Sequence, residues 1–255
     1  MSIHKGHRQR LKERFLKSGF ADFEEHEVLE LLLFYCIPRK DTNPIAHDLI
    51  SHFGSFAQVL DAPVSELQKV EGIGENAATF LSVIRQASGF YQINRFSKNE
   101  ALTTTEAYGR YLVPYFSTQR SEEVYLLCLD AKCMVLCCRK VGDGSINSTS
   151  ISIRKIVEIA LAANATSVVL AHNHPSGIAI PSAEDIATTK LVANALLMVD
   201  VILNDHIIVA DNDYTSLLLS NLYQPDDVYD ALQQEILRSD FMIPELAEKR
   251  TRSKF

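Results

Sequence analysis

Apolar residues recur at helical spacing through residues 27–34, 45–53 and 77–84, which predicts three amphipathic helices in the first part of the chain. Pro38, Pro44, Gly54, Pro63, Gly72 and Gly74 fall between or at the edges of these runs and interrupt them. Residues 1–98 therefore read as a small all-α domain of short helices. The periodicity lapses in the polar stretch NRFSKNEALTTT (94–105), which reads as an inter-domain linker. Beyond it the pattern changes to β-branched and apolar runs of strand length at 124–129, 134–141, 167–171, 199–203 and 207–210. Helical spacing returns between them at 154–163 and 183–198, so residues 103–223 are expected to form a mixed α/β domain. In residues 224–255, Val228, Leu232, Ile236 and Leu237 make one helical stripe ahead of a basic tail, and this extension is expected to pack back on the domain.

Composition narrows the class. The chain has 255 residues, of which 47% are hydrophobic, enough to fill two modest cores. A net charge of -7 argues against a surface devoted as a whole to nucleic acid. No run of about 18 apolar residues occurs, and MSIHKGHRQR lacks the apolar centre of a signal peptide, so a cytoplasmic protein with no membrane partner is expected. The five cysteines are odd in number and lack disulfide or Cys-x2-Cys spacing. Those between 128 and 138 read as small core residues of strand-like runs.

One segment carries chemistry. TSVVLAHNHPSG reads as a buried strand that ends in His172 and His174, whose alternation sends both imidazoles to one side. Pro175 and Gly177 turn the chain, and PSAED opens the next helix with Ser182 and Asp185 at cap spacing. Two imidazoles and a carboxylate make a three-ligand set for Zn²⁺, one ion per chain, with the fourth position left for water as catalytic zinc requires. Either half of the pattern alone is ordinary: a strand-end histidine pair, or a capping pair. Their joining through a short Gly/Pro loop favours the metal. His206, after Asp205 at an expected strand edge, is a candidate for a hydrogen bond to a ligand or a solvent-facing turn residue.

Two features of the first domain bear on phosphate binding. Lys5, Arg8, Arg10, Lys12, Arg14 and Lys17 face a single Glu13, a local excess that is either a solvated helix face or a contact for a phosphate backbone. VEGIGENAATFL places Gly72 and Gly74 in a turn before a helix, where backbone N–H groups can meet a phosphate oxygen. Glu71 and Glu75 flank that turn and oppose an anion there.

The string His172-x-His174-x7-Ser182-x2-Asp185 resembles the signature of the JAMM (MPN+) metalloproteases, and HNHPSG with PSAEDI is similar to the RadC family. GHRQRLKERF, LELLLFYCIPRKDTNPIA, VEGIG, GSIN and DHIIV extend the likeness over most of residues 4–222. The resemblance implies a JAMM/MPN-type (cytidine-deaminase-like) mixed sheet with flanking helices, preceded by a helix-hairpin-helix-like all-α domain. It also implies a zinc-dependent hydrolase of peptide or isopeptide bonds. His172, His174 and Asp185 would hold the metal, Ser182 would stabilise the oxyanion, and an upstream glutamate would act on the water. That glutamate is Glu122 or Glu123, since alternation lets only one face the site, and the register to Asp130 favours Glu122. The alternative is a DNA-binding protein of repair or recombination whose MPN domain holds zinc without catalysis. The chain departs from the family pattern at Ser152-Ile153, where His-Pro is usual, and at Lys155, where an acid is expected. Ile178-Ala179-Ile180 makes the loop after Gly177 more apolar than expected, which suits a hydrophobic group at the rim of the cleft.

Overall fold

The computed structural model describes residues 3–95, 100–144, 152–231 and 233–234, apart from the side chains of 3–5. The chain divides into two compact units, Met1–Tyr91 and Gln92–Phe255.

The first unit is built from α1 (Ile3–Ser18), α2 (Glu25–Leu33), α3 (Asn43–Phe53), α4 (Phe56–Asp61), the short α5 (Val64–Leu67) and the start of α6 (Glu75–Arg95). The breakers act where expected: Pro44 sits in the first turn of α3 and Gly54 closes that helix at φ 98°. Leu29, Leu33, Ile45, Leu49, Leu67 and Leu81 supply its core. α6 runs well past residue 84, where the apolar periodicity ends. Phe90 and Tyr91 are exposed there, while Gly89 is buried.

In the second unit α7 (Thr105–Phe116) lies between the stretch that reads as a linker and the first expected strand, where the periodicity predicts no element. Thr104 caps it by accepting from the Ala107 N–H at 3.2 Å, and Leu102 is already buried ahead of it. Then come β1 (Glu123–Leu129), β2 (Val135–Asp143), α8 (Ile153–Ala162), β3 (Ser167–Asn173), α9 (Ala183–Leu197), β4 (Ile202–Ala210) and β5 (Asp213–Ser216). The strands form one mixed sheet in the order β2-β1-β3-β4-β5, with only β3 and β4 parallel and α9 as their crossover. The expected mixed α/β sheet with flanking helices is thus observed.

Alternation along the strands makes two cores. Val124, Leu126, Val168, Leu170 and Ile208 face Ile156, Ala160, Val192 and Leu196 of α8 and α9. Leu127, Leu129, Val169, Ala171, Ile207 and Val209 face Leu112 and Phe116 of α7. β3 is buried along its whole length, as its unbroken apolar run requires.

Three expectations need correction. The runs 199–203 and 207–210 are not two strands: β4 is continuous from Ile202, and residues 199–201 form a turn with Asp200 at φ 58°. The polar interruption Asn204-Asp205-His206 is therefore not a strand edge. Asp205 and His206 are fully buried in mid-strand, because their polar atoms find partners inside. Asp205 accepts from the Thr105 hydroxyl (3.1 Å), the Ser216 hydroxyl (2.6 Å) and the N–H groups of His206 (2.7 Å) and Leu218 (3.1 Å). It ties α7, β5 and the following turn to β4. Finally, His206 faces neither solvent nor a turn.

The departures at 152–155 have a structural use. The Ser152 side chain caps α8 by accepting from the Lys155 N–H at 3.1 Å, and Lys155 Nζ donates to the Val141 carbonyl of β2. Cys128 and Cys137 are register partners across β1 and β2, and all five cysteines are free thiols. Val228 packs against the core of α8 and α9, whereas Leu232, Ile236, Leu237 and the basic tail lie outside the described residues. So do Ser145, Ile146 and Asn147 of GSIN. Among the described residues no helix is long and apolar enough to cross a membrane.

Candidate metal centre

The site forms at the carboxyl end of β3, where strand, loop and helix start meet. His172 is the register partner of Val124 on β1 and shares the face of Leu170, so its ring enters the layer beneath α9. His174 lies one residue past the strand. Its N–H donates to the Val209 carbonyl at 2.8 Å, which prolongs the pairing to β4. His172 Nε2 and His174 Nε2 stand 2.9 Å apart.

Asp185 returns to them from the first turn of α9. Its Oδ1 is 3.3 Å from His172 Nε2 and its Oδ2 3.7 Å from His174 Nε2. A capping box holds it: Ser182 donates to Asp185 Oδ2 through its N–H (2.8 Å) and its hydroxyl (2.7 Å), and the Asp185 N–H donates to Ser182 Oγ at 3.1 Å. The cap and the metal readings are therefore compatible: Asp185 Oδ2 takes the two Ser182 hydrogen bonds while Oδ1 is left to face His172.

Glu122 rather than Glu123 belongs to this cluster. Glu122, His172 and His174 bring their ligand atoms within 4.8 Å of one another. Burial, above all, pushes the Glu122 carboxyl above its ordinary value; His174 opposes this and the Asp185 charge adds to it. Glu123 points to the opposite face, where it binds Lys140 Nζ at 2.6 Å and accepts from the Tyr125 hydroxyl at 3.2 Å. Glu122, His174, Pro175, Ser176, Ser182, Glu184 and Asp185 line a cleft of about 350 Å³. Ile178 and Ile180 stand at 57% and 70% exposure on the same loop.

Asn173 and Thr189 contribute without a sequence signal of their own, whereas His206 makes the hydrogen bond to a ligand that is one of its two expected roles. Asn173, between the two histidines, accepts from the Glu123 N–H at 2.8 Å and donates to the Ser121 carbonyl at 3.1 Å. His206 Nε2 meets His172 Nδ1 at 2.8 Å, and Thr189 Oγ1 meets His206 Nδ1 at 2.6 Å. Burial pushes the pKa values of both His172 and His206 below that of a free imidazole. A helix-interior threonine reveals this only once α9 covers β4.

The N-terminal candidates do not join this cluster. The Lys5 side chain lies outside the described residues. Arg8 donates to the carbonyls of Ile37 (2.8 Å) and Lys40 (2.5 Å) and stacks on Phe34, and Lys12 lies over the Tyr35 ring. Arg10 is exposed. Gly72, at φ 90°, packs so that a Cβ would meet Ile45 Cδ1 at 2.7 Å, while Gly74 has open space.

The model of the RadC-like JAB domain matches residues 102–222, and that of the UPF0758 N-terminal region matches residues 4–79. A UPF0758 protein of Fusobacterium nucleatum subsp. nucleatum is 34% identical over 227 residues, 86% of this chain and 97% of that protein. The chain belongs to the UPF0758 (RadC) family. A second UPF0758 protein, from Ruegeria pomeroyi, is 33% identical over 208 residues, 82% of this chain and 93% of its own length. The RadC-like match spans all five strands and every residue of the histidine cluster.

The donor set fits a metal ion. It offers two imidazole nitrogens and a carboxylate oxygen, with a second carboxylate beside them at the rim of an open cleft. Two ring nitrogens 2.9 Å apart stand where one cation could take both.

Proposed function

We propose that the chain is a zinc-dependent hydrolase of the JAMM type that cleaves a peptide or isopeptide bond. The observation that carries this reading is the convergence of His172 Nε2, His174 Nε2 and Asp185 Oδ1 with the Glu122 carboxyl beside them. Those three groups would hold one Zn²⁺. When bound, the metal supplies the Lewis acidity that lets a water ionise near neutral pH.

The chain's own residues supply the rest. Glu122, whose carboxyl burial raises, takes a proton from the attacking water and returns it to the leaving amine. Ser182, whose hydroxyl reaches Asp185 Oδ2 from the cleft wall, can turn that single O–H toward the developing oxyanion. Asp185 remains fixed meanwhile by the Ser182 N–H. Ile178 and Ile180 present an apolar rim to the substrate side chain next to the scissile bond.

The test has two parts. Protein prepared without added metal should contain about one zinc per chain, which His174→Ala should lose. A peptide-library cleavage screen with the zinc-loaded chain should then yield products that vanish with Glu122→Gln. Negligible zinc in the native chain removes the foundation; zinc without any Glu122-dependent cleavage leaves a metal-bearing scaffold instead.

A further inference from the structure

Both ring nitrogens of His172 are engaged, and which of them carries the proton decides whether this residue can ligate a metal at all. The neighbouring His174 is simple. Its Nδ1 is 3.0 Å from the Ile178 carbonyl, which can only accept, so Nδ1 carries the proton and Nε2 is bare. His172 has no carbonyl to decide the matter. Its Nδ1 faces another imidazole, His206 Nε2, at 2.8 Å, and either ring could be the donor.

The decision is made two residues further in. His206 Nδ1 is 2.6 Å from Thr189 Oγ1, and Thr189 Oγ1 is 2.5 Å from the main-chain carbonyl of Asp185, one turn back on α9. The carbonyl accepts only, so it takes the single hydroxyl proton of Thr189. Oγ1 then offers a lone pair to His206, whose Nδ1 must carry the proton. The ring is fully buried, and the carboxylate of Asp205 is spent on Thr105, Ser216 and two backbone N–H groups rather than on either ring nitrogen. A neutral ring protonated at Nδ1 has a bare Nε2, which accepts from His172 Nδ1–H. The Nε2 of His172 is therefore bare toward His174 and Asp185.

We propose that Thr189 and His206 are positioning residues: with the Asp185 carbonyl they form a one-way hydrogen-bond chain that sets the tautomer of His172 for metal binding. The inference rests on the metal reading above. The opposite polarity leaves one of these contacts without a proton, that of Thr189 Oγ1 with the Asp185 carbonyl: the Thr189 hydroxyl would donate to His206 Nδ1, His206 Nε2–H to His172 Nδ1, and His172 Nε2–H would point at His174 Nε2. In that state a proton occupies the place of the metal. The Asp185 carbonyl is what opposes it, so one residue of α9 contributes its side chain to the cation and its main chain to the tautomer of a second ligand. Hydrogen bonds of this kind behind ligating histidines raise metal affinity by roughly 10–100-fold.

The experiment compares the native chain with Thr189→Val, which keeps the shape and loses the hydroxyl, and Thr189→Ser, which keeps the hydroxyl. Zinc affinity is read by competition with a chromogenic chelator, and histidine tautomers by ¹⁵N NMR of the metal-free full chain. Val should weaken zinc binding by about 10–100-fold and Ser should restore it to within about threefold. In the native spectrum His206 should be protonated at Nδ1. Zinc binding by the Val variant equal to the native chain, or a native His206 protonated at Nε2, overturns the proposal, and the native spectrum alone decides if the Val variant does not fold. A native chain that binds no zinc sinks the functional reading as well, whereas one that binds zinc but shows the reversed tautomer when metal-free sinks only this inference.

Discussion

The side chain of Asn173 brackets Glu122, accepting from the N–H of the residue after it and donating to the carbonyl of the residue before it. Asn173 itself points away from the metal side of β3, since it alternates with His172. It thus holds the backbone of Glu122 from behind while the carboxyl faces the cleft. Asn173→Ala should leave zinc stoichiometry unchanged and cost about 1–3 kcal/mol of stability, because two inward-facing backbone groups lose their partner. Hydrolysis should fall more than stability suggests, by up to about a hundredfold if the carboxyl shifts by roughly 1 Å. Zinc content, chemical unfolding and cleavage rate measured on one preparation check this.

Glu122 and Glu123 should separate cleanly. Glu122→Gln should keep zinc and the fold and abolish cleavage. Glu123→Gln should keep cleavage and lose up to about 1 kcal/mol, because its partner Lys140 is partly exposed. The reverse pattern would transfer the catalytic role to Glu123.

The Gly-x-Gly turn offers a test of structure against phosphate contact. Gly72→Ala should destabilise the first unit by about 1–3 kcal/mol, through the Ile45 contact and the positive φ. Gly74→Ala should be close to neutral for stability. If Gly74→Ala nevertheless weakens retention on DNA at low salt, the turn contacts phosphate. Retention that follows stability alone assigns the turn a packing role.

Acid should loosen the first unit through Glu27. Burial raises the pKa of this carboxyl, but the bonds from Arg14 and from the Glu24 backbone, with the charges of Arg14 and His26, outweigh it and hold the value below normal. The lowered folded value means that Glu27 contributes stability above the ordinary carboxylate pKa and loses it as pH falls through the lowered one. Glu27→Gln should therefore cost under about 1 kcal/mol at pH 7 and nothing once the native carboxyl is protonated. Denaturant midpoints of both chains across pH 7 to pH 2.5 measure the convergence; parallel curves would refute the pairing.

Local order was enough to read much of this protein. The change from helical to strand periodicity near residue 100, the breakers at Pro44 and Gly54, and the ligand string from His172 to Asp185 are properties of neighbouring residues, and covalent spacing carries them into any fold. Other features depend on what lies across a sheet or under a helix. Asn204-Asp205-His206 reads as a strand edge because polar residues inside a strand are costly unless partnered, and the partners, Thr105, Thr189 and Ser216, come from three other elements. α7 is hidden for the same reason: its apolar face has meaning only against Leu127 and Val169. The sequence alone determined which residues have ligand chemistry and that only one of two adjacent glutamates can face them. The register to Asp130 already favours Glu122; tertiary structure alone decided what holds it and which nitrogen of His172 is turned to the cleft, because hydrogen bonds between distant segments are set by packing and leave no periodic trace in the chain.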